Sequence, residues 1–259
     1  DAAEFRTAAK FGSIMVLVAA VGVAATGDRQ AKVMTEVQPM KMAAAEALYQ
    51  TKTGAGVSIF TIGTLEGSDE LFSVRVPGLL SYLGKGDFDA EIEGVNNIQA
   101  AYEAKYGPGS YTPNIPLTYW TFRLMMGVGM SSALAALWVL WAFKKGRMPK
   151  SRWCGRLALL LPLTPLLGNS FGWIFTEMGR QPWIVFGLMP TSAGVSPGVS
   201  ATEVLISLIG FTLVYGFLAV VEVKLLLKTI GSGLPELPPD NGDSDNDTDE
   251  TERQLAFAY

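Results

Sequence analysis

The sequence predicts an all-α membrane protein: a bundle of four transmembrane helices with a mixed extracytoplasmic loop between the first and the second. Three observations predict it. Hydrophobic residues make up 49% of the 259 and mean hydropathy is +0.28, more apolar than an average soluble domain. Four runs approach or exceed the roughly 20 apolar residues that a bilayer-spanning helix needs. Basic residues crowd one short segment between the second and third runs, the pattern of a cytoplasmic loop.

Histidine is absent and cysteine occurs once, at Cys154. The first fact removes the commonest ligand for haem, copper and zinc, and the usual general base near neutral pH. The second excludes an internal disulfide framework and a cysteine-rich zinc or iron–sulfur site, and leaves Cys154 as a small apolar filler. Redox or metal chemistry here must borrow ligands from other residue types or other chains. The net charge of −4 comes from acidic residues crowded between Glu236 and Glu252; the remainder is slightly basic. The chain opens at Asp1 without a recognisable signal peptide, as though cut from something longer.

Residues 1–26 are assigned to the first span. Its apolar run, 8–26, is rich in Ala and Gly with Lys10 near one end, so it packs on neighbours through small residues. Residues 27–118 read as one polar loop domain rather than a second globular core. Within it, a helix with an apolar stripe at Val37, Met40, Ala44 and Leu48 suits the membrane surface or the side of the bundle. Two β-rich runs follow at 57–62 and 71–76, then turns around Gly84 and a helical patch over 95–106. Gly107, Pro108, Pro113 and Pro116 break regular structure before the next span.

Residues 119–229 hold three spans. The second, 119–143, has Tyr119 and Trp120 as an aromatic belt at one end and Lys144 and Lys145 at the other; Arg123 lies one turn inside. The third, 157–175, contains Pro162 and Pro165, tolerated because neighbouring helices satisfy the freed backbone groups. The fourth, 204–227, carries Glu222 and Lys224 near its end, read either as snorkelling side chains or as part of a proton route. Residues 230–259 are expected to be a disordered acidic cytoplasmic tail. Lys144, Lys145, Arg147, Lys150, Arg152 and Arg156 assign their loop to the cytoplasm. The 27–118 loop, the start of the second span and the end of the third then meet at the outer side.

Trp173, Glu177 and Arg180 recur at i, i+4 and i+7 and share one helix face, before Pro182 ends the helix. Two readings stand: an interfacial aromatic belt with an arginine anchor, or a polar face lining a bundle interior or cofactor cavity. The second follows from the cost of an ionisable group in lipid, about 2.5–3.5 kcal/mol at a helix centre.

The twelve residues Gly172-Trp-x-x-x-Glu-x-Gly-Arg-Gln-Pro-Trp183 resemble the signature of subunit I of cytochrome bd quinol oxidase. Tyr119-Trp-Thr-Phe-Arg-Leu-Met-Met-Gly127 is similar to that family's haem-ligating segment. Gln38-Pro-Met-Lys-Met-Ala-Ala-Ala-Glu46 resembles the start of its quinol-binding loop, in the short-loop form. The resemblance implies that Met125 is an axial ligand of the low-spin haem b558 iron, and that Arg123 stabilises the reduced form of that haem. It implies quinol oxidation at Lys41 and Glu46. It implies service to the high-spin haem b595 and haem d by Glu177, with Trp173 on a macrocycle and Arg180 on propionates. These roles suit the chemistry. A thioether is a soft, neutral ligand that raises haem potential, a carboxylate can accept a quinol proton beside an ammonium on the ring oxygen, and arginine pairs bidentately with carboxylates.

The resemblance is to the carboxy-terminal half of the family's subunit I. It implies a quinol:oxygen oxidoreductase of the bacterial cytoplasmic membrane that builds a proton-motive force, incomplete as this chain alone. Its expected partners are the amino-terminal half of subunit I with its histidines, subunit II, quinol, oxygen and the lipid bilayer. Residue types by themselves leave other readings open. Met125 beside Met126 and Met130 can be packing, and Lys41 and Glu46, about 140° apart on a helix, can be a solvated surface. Arg123 and Glu177 can belong to an ion-coupled transporter, which would show internal repeats that this sequence lacks. A haem-free membrane scaffold is the remaining alternative.

Overall fold

Helix α1 (Ala2–Val37) continues well beyond the apolar run that announced it. The polarity break at Gly27 and Asp28 is not a helix break: Lys32 reaches back one turn to Asp28 at 2.8 Å, an i,i+4 pair that supports helix. The helix ends because Pro39 biases Gln38 away from the α region, and Gln38 adopts φ −136° and ψ 65°. The expected stripe from Val37 to Leu48 is therefore divided. Val37 ends α1, 56% exposed, while Met40, Ala44 and Leu48 are buried in and after the short α2 (Pro39–Ala45).

The computed structural model describes residues 2–64, 67–144, 155–156 and 160–232. Two compact units divide the chain, residues 1–195 and 196–259. Lys145, Arg147, Lys150, Arg152, Cys154 and the tail from 233 onward lie outside the described residues.

After α2 come β1 (Lys52–Thr53), an antiparallel hairpin of β2 (Val57–Gly63) and β3 (Glu70–Val76), α3 (Leu79–Lys85), β4 (Glu91–Ile92) and α4 (Val95–Tyr106). The loop expected to lack a core of its own is organised by two buried clusters. In one, Ala43 and Ala44 of α2 pack with Val95, Ile98 and Tyr102 of α4 and with Tyr119. In the other, Met42, Leu48, Leu80 and Ile92 pack against Ala31 and Met34 of α1. Alanines allow α2 to approach closely, in keeping with a place on the side of the bundle, one of the two that its apolar stripe allowed.

Helix α5 (Ile115–Ala142) starts at Asn114, whose side chain accepts the Leu117 N–H at 2.9 Å, a standard N-cap. It packs along α6 (Leu163–Gly179) and against α1. Glycines on α6 set the closeness of α5: a Cβ added at Gly172 would lie 3.0 Å from Met125 Sδ, and one at Gly179 would lie 3.1 Å from Lys41 Cγ and 3.3 Å from Thr118 Cγ2. A short hairpin, β5 (Trp183–Val185) with β6 (Met189–Pro190), follows α6. The second unit contains α7 (Ala201–Ser232), so helix continues past the expected start of the tail at 230.

Among the described residues, three helices, α1, α5 and α7, are long and apolar enough to cross a membrane, with peak mean hydropathies of 2.0, 1.7 and 2.5. The expected third span appears as the 17 residues of α6, and 157–159 lie outside the described residues. Substituting Gly172→Leu should destabilise the α5–α6 contact by about 1–3 kcal/mol, the usual cost of overpacking, and lower the melting temperature of the purified protein. An unchanged melting temperature would mean that the close approach at Gly172 contributes nothing to packing.

Candidate functional site

Two polar centres flank the junction of α2, α5 and α6. The first is buried. Glu46 caps the C-terminus of α2, so it no longer follows the helical spacing that relates it to Lys41, and its residue is only 3% exposed. Its Oε2 accepts from Arg123 Nη2 at 2.6 Å and from the Ser58 backbone N–H at 2.9 Å. Arg123 also lies over the rings of Tyr119 and Phe122, at 4.8 and 5.2 Å from their centroids. Burial pushes the Glu46 carboxyl above its ordinary value, opposed by Arg123, the Ser58 N–H and Arg75.

Side chains that the motifs did not single out build this centre. Arg75 of β3 donates to the carbonyls of Glu46 at 3.0 Å and Ala47 at 2.8 Å, and pairs with Glu70. It fastens the turn in which Ala47 takes a left-handed φ of 46°, unfavourable for a residue with a Cβ. Ser58 Oγ bonds Thr61 Oγ1 at 2.6 Å and Tyr119 Oη at 2.8 Å. These hydroxyl contacts fasten β2 to α5 and hold the Ser58 N–H at Glu46. Inward-facing Ser58 and Thr61 in an otherwise apolar strand were the available signal.

The second centre is an open cleft lined by Gln38, Lys41, Tyr111, Arg180, Trp183 and Phe186 among others. Lys41 crosses Gly179 to reach the Thr176 carbonyl at 3.4 Å and lies 5.0 Å from the Phe175 ring centroid. Burial and the nearby Arg180 guanidinium hold its ammonium below the ordinary lysine value, with Glu177 pulling the other way. Glu177 and Arg180 form an i,i+3 ion pair. Trp183 is 6% exposed and sits among Tyr106, Tyr111 and Phe186, with Tyr102 behind. Burial, Tyr106 and Glu93 push the Tyr102 phenol up to about 12.

The expected site residues thus fall into groups. Glu46 joins Arg123; Lys41 joins Glu177 and Arg180; Lys41 and Glu46 are not brought together. The proximity of Met125 Sδ to the Gly172 position directs its thioether toward α6, whereas Trp173 is 60% exposed. The donor set fits a haem and its propionates: a thioether on α5 is two residues from a guanidinium whose Nε and Nη1 are buried without an acceptor among the described residues. Arg180 Nε is buried without an acceptor as well. Met125 would supply an iron ligand, and Arg123 or Arg180 the propionate contacts.

The family model described as cytochrome bd terminal oxidase subunit I matches residues 1–234. The chain belongs to this family. It is 40% identical over 231 residues to cytochrome bd ubiquinol oxidase subunit 1 of Bacillus subtilis (strain 168), covering 88% of this chain and 49% of that protein. Cytochrome bd-II ubiquinol oxidase subunit 1 of Escherichia coli is 25% identical over 276 aligned positions, covering 84% and 53%. The solved bd oxidase of Geobacillus thermodenitrificans superposes with a TM-score of 0.69 at 25% identity, covering 84% of this chain and 48% of that one. The chain therefore spans about half the length of the relatives it matches. The bd family assignment agrees with the resemblance carried by the three motifs.

The raised Glu46 carboxyl sets a pH dependence of stability. A folded-state value above the unfolded one, near 4.5, contributes stability that is fully present below 4.5 and is lost as pH rises through the folded value. Thermal unfolding across this range should show that loss in the native protein and a flatter profile in Glu46→Gln. Superimposable profiles would place the titration elsewhere.

Proposed function

We propose that this chain forms the carboxy-terminal part of the catalytic subunit of a bd-type terminal oxidase, a quinol:oxygen oxidoreductase of the bacterial cytoplasmic membrane. The single observation that carries the reading is the convergence of Lys41 and Arg180 on one cleft beside the helix that bears Arg123 and Met125. Quinol is oxidised there, at the outer side, losing two electrons and two protons to become quinone. Four electrons from two quinols, with four protons taken from inside, convert one oxygen molecule to two waters. The transfer contributes to a proton-motive force. The cofactors in this reading are haem b558, haem b595 and haem d, which when bound carry electrons from quinol to oxygen.

The chain's own residues supply position and charge. Lys41 lies in the cleft with its cation partly desolvated, suited to hydrogen-bonding a quinol oxygen as that oxygen loses its proton. Glu46, with its affinity for a proton raised by burial, exchanges a proton in response to charge near Arg123. With the low-spin haem bound, Met125 would ligate its iron, and Arg123 would hold a propionate with the two donors that Glu46 does not use. Glu177 and Arg180 form a charged pair at the end of α6 that would serve the high-spin haem and haem d when these are bound, and Trp173 would pack on a macrocycle. Subunit II and the amino-terminal half of subunit I complete the protein within the bilayer.

In the assembled oxidase, Met125→Leu should shift or abolish the reduced low-spin haem absorption bands. Lys41→Ala should lower quinol oxidation at least tenfold while leaving those bands in place. A wild-type spectrum in Met125→Leu, or a purified wild-type complex without haem bands, would overturn the reading.

A further inference from the structure

Trp183 closes the sequence signature, yet the haem and proton roles proposed above leave it unused. Its ring is fixed on three sides: Tyr111 stacks on it at 5.7 Å and 15°, Tyr106 meets it edge-on at 5.1 Å, and Phe186 lies at 5.9 Å. Its backbone N–H is satisfied by the Arg180 carbonyl at 3.0 Å. Its indole Nε1–H is buried with no acceptor among the described residues. A buried donor without a partner bears the full cost of desolvation, and native proteins leave few such groups without a ligand, ion or water to meet them.

The surroundings specify the kind of acceptor. Trp183 lines the same cleft as Lys41 and Arg180, and no carboxylate lines it. Arg180 Nε is a second buried donor without an acceptor, and Lys41 Nζ, among the described residues, hydrogen-bonds only the Thr176 carbonyl, at 3.4 Å. Three donors on aromatic walls fit a flat ring whose oxygens accept hydrogen bonds. A small carboxylate ligand without an extended flat ring would not use the stacked Tyr111–Trp183 wall.

We propose that Trp183 is a quinol-binding residue: its indole N–H donates to a ring oxygen of quinol or quinone, and its stack with Tyr111 sets the plane in which that ring lies. The inference rests on the quinol-oxidase reading and goes beyond it by assigning the ring contact to Trp183. Rigid aromatic groups and a preplaced donor lower the entropy lost when the ring binds. The bond is made to bound substrate and transition state alike, so its loss acts on KM more than on kcat.

The test uses the assembled oxidase with decylubiquinol as substrate and decylubiquinone in equilibrium binding. Trp183→Phe keeps a ring but removes the donor. It should raise KM about fivefold to tenfold, the scale of one neutral hydrogen bond, with kcat within twofold, haem bands unchanged and quinone affinity lowered by the same factor. Tyr106→Phe, which alters the cluster without removing a ring, should change neither constant. If Trp183→Phe does not assemble, Tyr111→Leu should raise KM through loss of the stack; a wild-type KM there overturns the proposal. Native KM and quinone affinity in Trp183→Phe also overturn it, leaving the oxidase reading intact. Failure of the wild-type protein to oxidise any quinol overturns that reading and the proposal together.

Discussion

The ion pair between Glu46 and Arg123 couples the loop to the helix beneath it. It joins residues 77 positions apart, and both side chains are largely shielded, at 4% and 11% exposure. A carboxylate and a guanidinium at such depth are tolerated only with their hydrogen bonds arranged around them. The Ser58 N–H supplies another bond to Glu46, and Arg75 fixes the turn that presents it. The Ser58–Tyr119 contact then fastens the hairpin to α5 beside Arg123. Breaking the pair would leave one charge buried and remove the bond that joins the end of α2 to Arg123 of α5.

This arrangement separates two kinds of chemistry that the motif spacing appeared to combine. Lys41 and Glu46 are five residues apart, yet the end of α2 falls between them, directing one toward the cleft at α6 and the other into α5. A proton released at the cleft and a charge change near Met125 would therefore be met by different residues. Arg180 is paired with Glu177 and also lines the cleft, with an Nε that finds no acceptor among the described residues.

Much of this was legible in the sequence, for identifiable reasons. Apolar runs located α5 and α7, because length and hydropathy are properties of a single segment. The helical patch over 95–106 and the two β runs were also visible, since their periodicity is local. What could not be read were the consequences of approach between segments. Gly172 and Gly179 are unremarkable until Met125 and Lys41 lie against them. Arg75 reads as an exposed strand cation until it meets the Ala47 turn. The alanines of α2 resemble a surface helix until α4 and α5 cover them. The polarity change at Gly27 marks the end of the apolar run but not of the helix, which continues to Val37 with the Asp28–Lys32 pair in its favour.

The most direct test of the account is a double-mutant cycle on the buried pair, comparing the wild-type protein with Glu46→Gln, Arg123→Met and the double variant by thermal or denaturant unfolding. Each single change should destabilise strongly, on the scale of about 3–5 kcal/mol for removing one partner of a buried ion pair, and the double variant should recover part of that loss. A coupling energy above about 1 kcal/mol is expected, whereas additivity within about 0.3–0.5 kcal/mol would contradict the claim that this pair joins the loop to the helix.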